Sequence, residues 1–346
     1  MPAGGNPNLS AELAIPGSAP VSDIADEIFI EKNVGVQMLR LDQIDPVLSG
    51  NKAFKLIPNL VAARASGFDT VLSFGGAYSN HIHALAEAGK RFGFKTIGVI
   101  RGDDGQADSH TLQFAASRGM RLFRISRQEY RRRADAQFID QLRDAFGDFY
   151  LVPEGGANES GIRGCMQLAS VINNSLHTYL PDEIMLACGT GTTMAGLVAG
   201  LGELRHKSEM SSDTSLPSAT RLPSATRLPS VTRLPSVRGI AVLKQGGFIR
   251  DEVTRCLQSL RAPGSEFPDW AVETEHHYGG YARFPEALAI FVREFEIRHG
   301  ILLDPVYTAK LMAAVYQRVA AGLYPPGTRL LLLHTGGLQG RMATQY

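Results

Sequence analysis

Short apolar runs that end in glycine and open into helical patterns set the layout of this chain. "DTVLSFGGAYSNHIHALAEAGKRFG" places a buried strand at 70–74, a glycine turn, and a helix from about Ser79. "DEIMLACGTGTTMAGLVAGLGEL" repeats that layout, with the helix beginning near Thr192. "KTIGVIRG" and "TRLLLLHTGG" supply two more strand patterns, the second ending in Thr-Gly-Gly. Apolar runs of this length, alternating with helices, imply parallel sheet covered by helices on both faces. The expected fold class is α/β. Ligands in such sheets bind beyond the carboxyl ends of the strands, and all three glycine turns fall there.

One segment breaks the alternation. "SLPSATRLPSATRLPSVTRLPSVRG", 215–239, repeats a Leu-Pro-Ser-Ala/Val-Thr-Arg hexad, with Leu216, Leu222, Leu228 and Leu234 in register. Proline in every unit prevents helix, and the unit is far shorter than a solenoid repeat. The segment reads either as a basic, Ser/Thr-rich docking stretch or as a low-complexity insertion. Composition favours the insertion, disordered and on the surface, ahead of a strand at "GIAVLKQ".

Composition narrows the function classes. A length of 346 residues suggests two domains or one large one, and 44% hydrophobic with 20% charged residues is ordinary for a globular protein. With 35 basic and 34 acidic residues, nothing favours nucleic acid or an anionic membrane as partner. Cys165, Cys188 and Cys256 are odd in number and widely spaced, which argues against a disulfide framework and against a zinc site. The expected compartment is reducing. The first residues lack the pattern of a signal peptide, and no apolar stretch is long enough to span a bilayer, so a cytoplasmic location is expected.

Three stretches could carry chemistry. In "CGTGTTMAGL", 188–197, small residues let backbone N–H groups converge where a helix start adds its positive dipole end. That suits a phosphate, although close helix–sheet packing also needs small side chains. No Gly-Lys-Ser/Thr follows, so a cofactor phosphate fits better than a nucleoside triphosphate. "FGGAYSNHIHA", 74–84, is a second anion-ready helix start, with Ser79 as N-cap and Asn80 and His81 behind it. His81 and His83 are two residues apart and face different sides of a helix, so they do not read as a metal pair. A substrate carboxylate is the more economical ligand. Finally, "LSGNKAFKL", 48–56, sets Lys52 and Lys55 one helical turn apart just after a turn. They are either two solvated side chains, or one nucleophile and one anion holder. A lysine, a phosphate site and a carboxylate site together point to pyridoxal 5'-phosphate.

In their order, "SGNKAFKL", "GGAYSNH", "PEGGANESGIRGC", "CGTGTTMAGL", "HYGGYA", "LLDPVYTAK" and "LHTGG" resemble the aminocyclopropane-carboxylate deaminase and D-cysteine desulfhydrase family. The resemblance runs from about residue 40 to the end, apart from the hexads. It implies a tryptophan synthase β-like fold (PLP fold type II): two open, twisted parallel sheets with helices on both faces. It also implies a large cofactor domain from 1–54 plus 169–346, interrupted by the insertion at 215–238, and a small α/β domain over 55–168. A homodimer acting on a small amino acid is the implied assembly.

The roles carry over by position. Lys52 resembles the lysine that holds the cofactor as an internal aldimine and moves the Cα proton, and Lys55 the second lysine near the phosphate. Asn80 matches the partner of the cofactor's phenolic oxygen, and Ser79 that of the substrate carboxylate, with His81 beside them. Thr190, Gly191, Thr192 and Thr193 match the phosphate loop. Tyr278 and Tyr307 match two active-site tyrosines, and Thr335 the position that holds the pyridine nitrogen. A neutral hydroxyl there leaves the pyridine unprotonated, which suits β-elimination.

The deaminase branch carries Glu after the tyrosine of "DPVY" and Leu after the terminal-strand histidine. This chain has Thr308 and Thr335, matching the desulfhydrase-like branch. Tyr78 replaces a common Gln, Phe54 a common Arg, and "YGGYARFP" a Tyr-Gly-x-Pro. Tyr78 would re-line the substrate pocket, where the resemblance also implies Ser79, Asn80, His81 and Thr308 as substrate contacts. The expected activity is D-cysteine desulfhydrase-like β-elimination to pyruvate, ammonia and sulfide. The alternatives are ring-opening deamination of aminocyclopropane carboxylate, a hydroxy-amino-acid dehydratase, and a non-catalytic cofactor-binding protein.

Overall fold

A computed structural model describes residues 15–48, 50–102, 107–176, 181–212, 234–260 and 266–343. In chain order the strands are β1 (Val21–Asp23), β2 (Gly35–Arg40), β3 (Thr70–Gly76), β4 (Lys95–Arg101) and β5 (Arg121–Ile125), then β6 (Tyr150–Val152), β7 (Glu183–Cys188), β8 (Ser236–Ala241), β9 (Trp270–Glu273) and β10 (Arg329–His334). They form two sheets in two compact units. One unit is built on Lys52–Gly164, the other on Gly17–Asn51 together with Cys165 onward.

The smaller unit carries an all-parallel sheet in the order β5-β4-β3-β6. Leu72 lies opposite Ile97 on one side and Leu151 on the other. Because strand side chains alternate, Leu72 and Phe74 point to one face, with Ile97 and Val99 beside them. Phe138, Ile139 and Leu142 from the helix Ala136–Phe146 cover that face. The opposite face receives the helix Asn80–Phe92, whose N-cap is Ser79, with its oxygen accepting from the Ile82 N–H. Gly75 makes that return possible, since a Cβ there would sit 2.4 Å from Ile82 Cγ1.

The larger unit carries the order β1-β2-β10-β7-β8-β9, parallel except where β1 runs antiparallel to β2 at one edge. Every residue of β7 is buried, as a strand covered on both faces requires. Met185, Leu332 and Ile240 pack with Leu311 and Val315 of the helix Thr308–Ala320 and Val292 of the helix Glu286–His299. All three cysteines are buried and unbridged. Among the described residues, no helix is long and apolar enough to cross a membrane.

The hexad segment needs one correction. The expected disordered insertion over 215–238 is too long at its end, because Ser236–Arg238 already belong to β8, and Leu234 is buried rather than on the surface. β-branched Val237 pairs with Trp270 on β9, which draws the end of the segment into the sheet. Residues 215–233 lie outside the described residues.

Candidate active site

In the smaller unit, the helix Asn51–Ala65 presents Lys52 and Lys55 on one face. Lys52 is half-buried, and Lys55 is only 3% exposed. Pro58 lies within this helix and has no N–H to return to the Phe54 carbonyl. Gly164, on the helix Glu159–Ser175, packs there instead: a Cβ at Gly164 would fall 1.8 Å from the Phe54 oxygen. Asn59 and Asn158 exchange amide hydrogen bonds at 3.1 and 2.7 Å, joining the same two segments.

His81 packs beside the lysines. Gly156, at φ +69°, brings backbone close enough that a Cβ would touch Lys55 Cβ at 3.1 Å and His81 Cε1 at 3.6 Å. The His81 ring is buried, with Nε2 2.8 Å from Ser73 Oγ and Nδ1 without a hydrogen-bond partner. Burial, aided by the positive charges of Lys52 and Lys55, pushes its pKa down to about 3. The ring is therefore neutral at working pH and adds no third positive charge. Ser79 and Asn80 are half-buried at the start of their helix, and Tyr78 is 54% exposed.

In the larger unit, β7 runs into Gly189-Thr190-Gly191-Thr192-Thr193 and the long helix Thr192–Ser212. Gly191 has φ +76°, and a Cβ there would press on Val253 and Ile249, so only glycine fits. Thr190 and Thr192 share a hydroxyl hydrogen bond at 3.0 Å. Asn51 Nδ2 donates to Thr193 Oγ1 at 2.9 Å, and the Asn51 N–H donates to the Thr335 carbonyl at 3.3 Å. Asn51 thus ties the glycine turn after β7 to the end of β10. Converging N–H groups, small side chains and hydroxyls at the start of a long helix fit a phosphate group.

Tyr307 closes one side of this turn. A Cβ on Gly189 would lie 3.3 Å from Tyr307 Cε1 and 3.4 Å from its hydroxyl. Tyr278 sits on a separate loop, and its hydroxyl accepts from Gln317 Nε2 at 2.8 Å. Burial raises the Tyr278 pKa, so the phenol stays protonated. Thr335 is buried at the carboxyl end of β10. Thr308 is also buried, and its hydroxyl is engaged with Asp304.

Several residues of this arrangement carry no individual role in the sequence reading. Asp304 is fully buried and accepts from the Tyr307 N–H at 2.9 Å and the Thr308 N–H at 2.6 Å, so it caps the helix that follows Tyr307. Burial raises its pKa against those donors. Lys310 is fully buried and donates to the Gly280 carbonyl at 2.7 Å. His334, also fully buried, has Nδ1 3.2 Å from Asp42, which Arg40 grips at 2.9 and 2.7 Å. Asp304 and Lys310 stand within "LLDPVYTAK", so the signal was present as motif membership, not as a charge pattern.

Comparison with known proteins supplies the family. A "Putative 1-aminocyclopropane-1-carboxylate deaminase" of Pyrococcus horikoshii is 26% identical, over 94% of this chain and 91% of that protein. A "Bifunctional D-cysteine desulfhydrase/1-aminocyclopropane-1-carboxylate deaminase, mitochondrial" of Arabidopsis thaliana is 28% identical, over 85% of this chain and 70% of that protein. A crystal structure of an "ACC deaminase homologue" superposes with a TM-score of 0.74 at 25% identity, covering 97% of this chain and 96% of that one. Each of the three matches covers 85% or more of this chain. The pattern of the "Pyridoxal-phosphate dependent enzyme" family spans residues 30–336, and the chain belongs to that family.

Proposed function

We propose that this enzyme is a lyase that carries out β-elimination on a small amino acid, with D-cysteine as the first substrate to test. The observation that carries the choice is Thr308. As a threonine it places no carboxylate after Tyr307, and its buried hydroxyl is engaged with Asp304. By family pattern a glutamate belongs there in the ring-opening branch. A neutral Thr335 at the end of β10 supports the same choice.

In this reading the Thr190–Thr193 turn holds the cofactor's phosphate, with Lys55 near it. Asn80 meets the phenolic oxygen, and Thr335 the pyridine nitrogen. Pyridoxal phosphate, when bound, supplies the electron sink that lets a Cα–H bond break and a β-substituent leave. Lys52 would hold the cofactor covalently, and its amine would take the Cα proton, a role typically worth ~10²–10⁴-fold. Ser79 accepts from Ile82, so its own hydroxyl hydrogen is available to the substrate carboxylate. Tyr278 accepts from Gln317, and its own hydrogen is likewise available for donation. With D-cysteine the products are sulfide, pyruvate and ammonia.

Ring opening of aminocyclopropane carboxylate is the second reading, favoured by the names of the relatives and of the solved structure. The test sets both substrates side by side with the holoenzyme and with Lys52→Ala. A cofactor absorbance band near the visible edge that is lost in Lys52→Ala, with pyruvate and sulfide formed only by the parent, is the expected result. Turnover of aminocyclopropane carboxylate without D-cysteine turnover would select the second reading. A Lys52→Ala protein that keeps both band and activity would refute the role of Lys52.

A further inference from the structure

The loop that carries Tyr278 has an unfavourable backbone. Tyr278 has φ +52°, Gly279 +91°, Gly280 +119° and Ala282 +55°. Two of these are not glycine, and left-handed conformations persist in such residues only where the surroundings impose them. The loop's own turn hydrogen bonds, Gly280 N–H to the His277 carbonyl and Arg283 N–H to the Gly280 carbonyl, hold its local shape. They do not fix where the loop stands against the sheet.

One helix does that. Lys310 and Gln317 are seven residues apart on the helix Thr308–Ala320, two turns along one face. Lys310 Nζ reaches the Gly280 carbonyl at 2.7 Å and the Val242 carbonyl, just past β8, at 3.3 Å. Gln317 spans two side chains, its Oε1 3.0 Å from His276 Nδ1 and its Nε2 donating to the Tyr278 hydroxyl at 2.8 Å. The same helix begins directly after Tyr307, where Asp304 caps it. One rigid element therefore sets the positions of both tyrosines.

A lysine with no exposed surface is costly to bury, and burial pushes its pKa down to about 8. A packing role alone would be served by methionine or leucine. The ammonium contributes donors, and what they hold is the Tyr278 loop.

We propose that Lys310, assisted by Gln317, is a positioning residue that locks the loop His276–Arg283 so that the Tyr278 hydroxyl is aimed at the reacting substrate. This rests on the reading above in which Tyr278 serves the active site. Lys310 acts through Tyr278 and touches neither substrate nor cofactor.

The experiment uses the holoenzyme of Lys310→Met, Gln317→Met, Tyr278→Phe and the double variant Lys310→Met/Tyr278→Phe. Hydrogen exchange of the 276–283 amides is expected to speed up about tenfold or more in Lys310→Met, with the cofactor band retained. Its kcat is expected to fall about tenfold, with KM changing less than about threefold. In the Tyr278→Phe background, Lys310→Met should cost less than about a further twofold, because both changes remove one contribution. Gln317 is exposed, so its variant folds even where Lys310→Met does not, and it should show a smaller rise in exchange and a smaller fall in kcat. Unchanged loop exchange in both variants, or losses that multiply in the double variant, would overturn the proposal. Full activity in Tyr278→Phe would instead refute the role given to Tyr278, and the exchange result would still report whether Lys310 holds the loop.

Discussion

Gly164→Ala is the sharpest single test of how the smaller unit holds its lysines. A methyl group at that position would lie 1.8 Å from the Phe54 carbonyl oxygen and 2.7 Å from Pro58 Cγ. Carbon normally meets a carbonyl oxygen at about 3.3 Å or more, so the two helices would have to part by roughly 1.5 Å. The contact atom is backbone, not the end of a flexible side chain, and cannot swing aside. Overpacking of this kind costs about 1–3 kcal/mol, and the size of the clash places Gly164→Ala at about 3 kcal/mol. For a chain of 346 residues, with an unfolding entropy of about 2.1 cal/mol/K per residue, that corresponds to a fall of roughly 4 °C in Tm. Thermal unfolding followed by circular dichroism reads it directly. Phe54 lies between Lys52 and Lys55 on the displaced helix, so affinity for pyridoxal phosphate, titrated by absorbance, should weaken as well. The control is Gly247→Ala, which places the same methyl group in open space. It should be neutral or stabilise by up to about 1 kcal/mol. If Gly164→Ala unfolds within about 2 °C of the parent and binds the cofactor equally well, the close approach of these helices does not support the site.

Other outcomes follow from single groups. His81 has its pKa lowered to about 3 from an ordinary 6.5. The unfolded chain therefore binds a proton that the folded one refuses between those values. Its contribution is complete above pH 6.5 and is lost as pH falls toward 3, at about 1.4 kcal/mol per pH unit. Urea midpoints at pH 7 and pH 5 should differ less in His81→Gln than in the parent, and an equal difference would show that the ring is not held neutral. Asp304→Ala removes the acceptor for the Tyr307 and Thr308 N–H groups and should cost about 2 kcal/mol or more, with a fall in kcat as Tyr307 shifts. Wild-type stability and kcat would contradict that. Tyr78→Gln alters an exposed side chain and should leave stability within about 0.5 kcal/mol. It should change kcat/KM for D-cysteine by roughly tenfold, a difference of about 1.4 kcal/mol, and an unchanged value would remove Tyr78 from the substrate's path.

Local signals carried the fold. The alternation of apolar runs with glycine turns located β3, β7 and β10, and Ser79 caps its helix as a serine before a helical pattern should. The helix start at Thr192 was equally legible, because the Gly-Thr-Gly turn is written in consecutive residues. Burial of polar groups was not. Lys310 resembles any surface lysine in sequence, and only the arrival of the Gly280 and Val242 carbonyls, far away in the chain, gives it a partner. Thr308 reads as a substrate contact by its place after Tyr307, whereas its hydroxyl is turned to Asp304. The neutrality of His81 depends on Gly156 closing over it from another segment, which no local pattern announces. The start of β8 was hidden because the last hexad continues into the strand with no change of composition.

The chain passes from the larger unit to the smaller between Asn51 and Lys52, and returns between Gly164 and Cys165. Both passages fall inside helices, and Gly164 packs directly on Phe54. The Lys52–Gly164 stretch of the smaller unit is thus a contiguous insert whose two ends touch. Once it has folded, the flanking pieces of the larger unit are joined as if by a short linker, and the entropy of closing a long loop is spared. During synthesis the insert can complete its sheet before β7 to β10 emerge, while the larger unit waits for its later segments. Exchange of the insert for that of a relative, cut at those two points, is a natural way to transplant the lysine and histidine cluster as one piece.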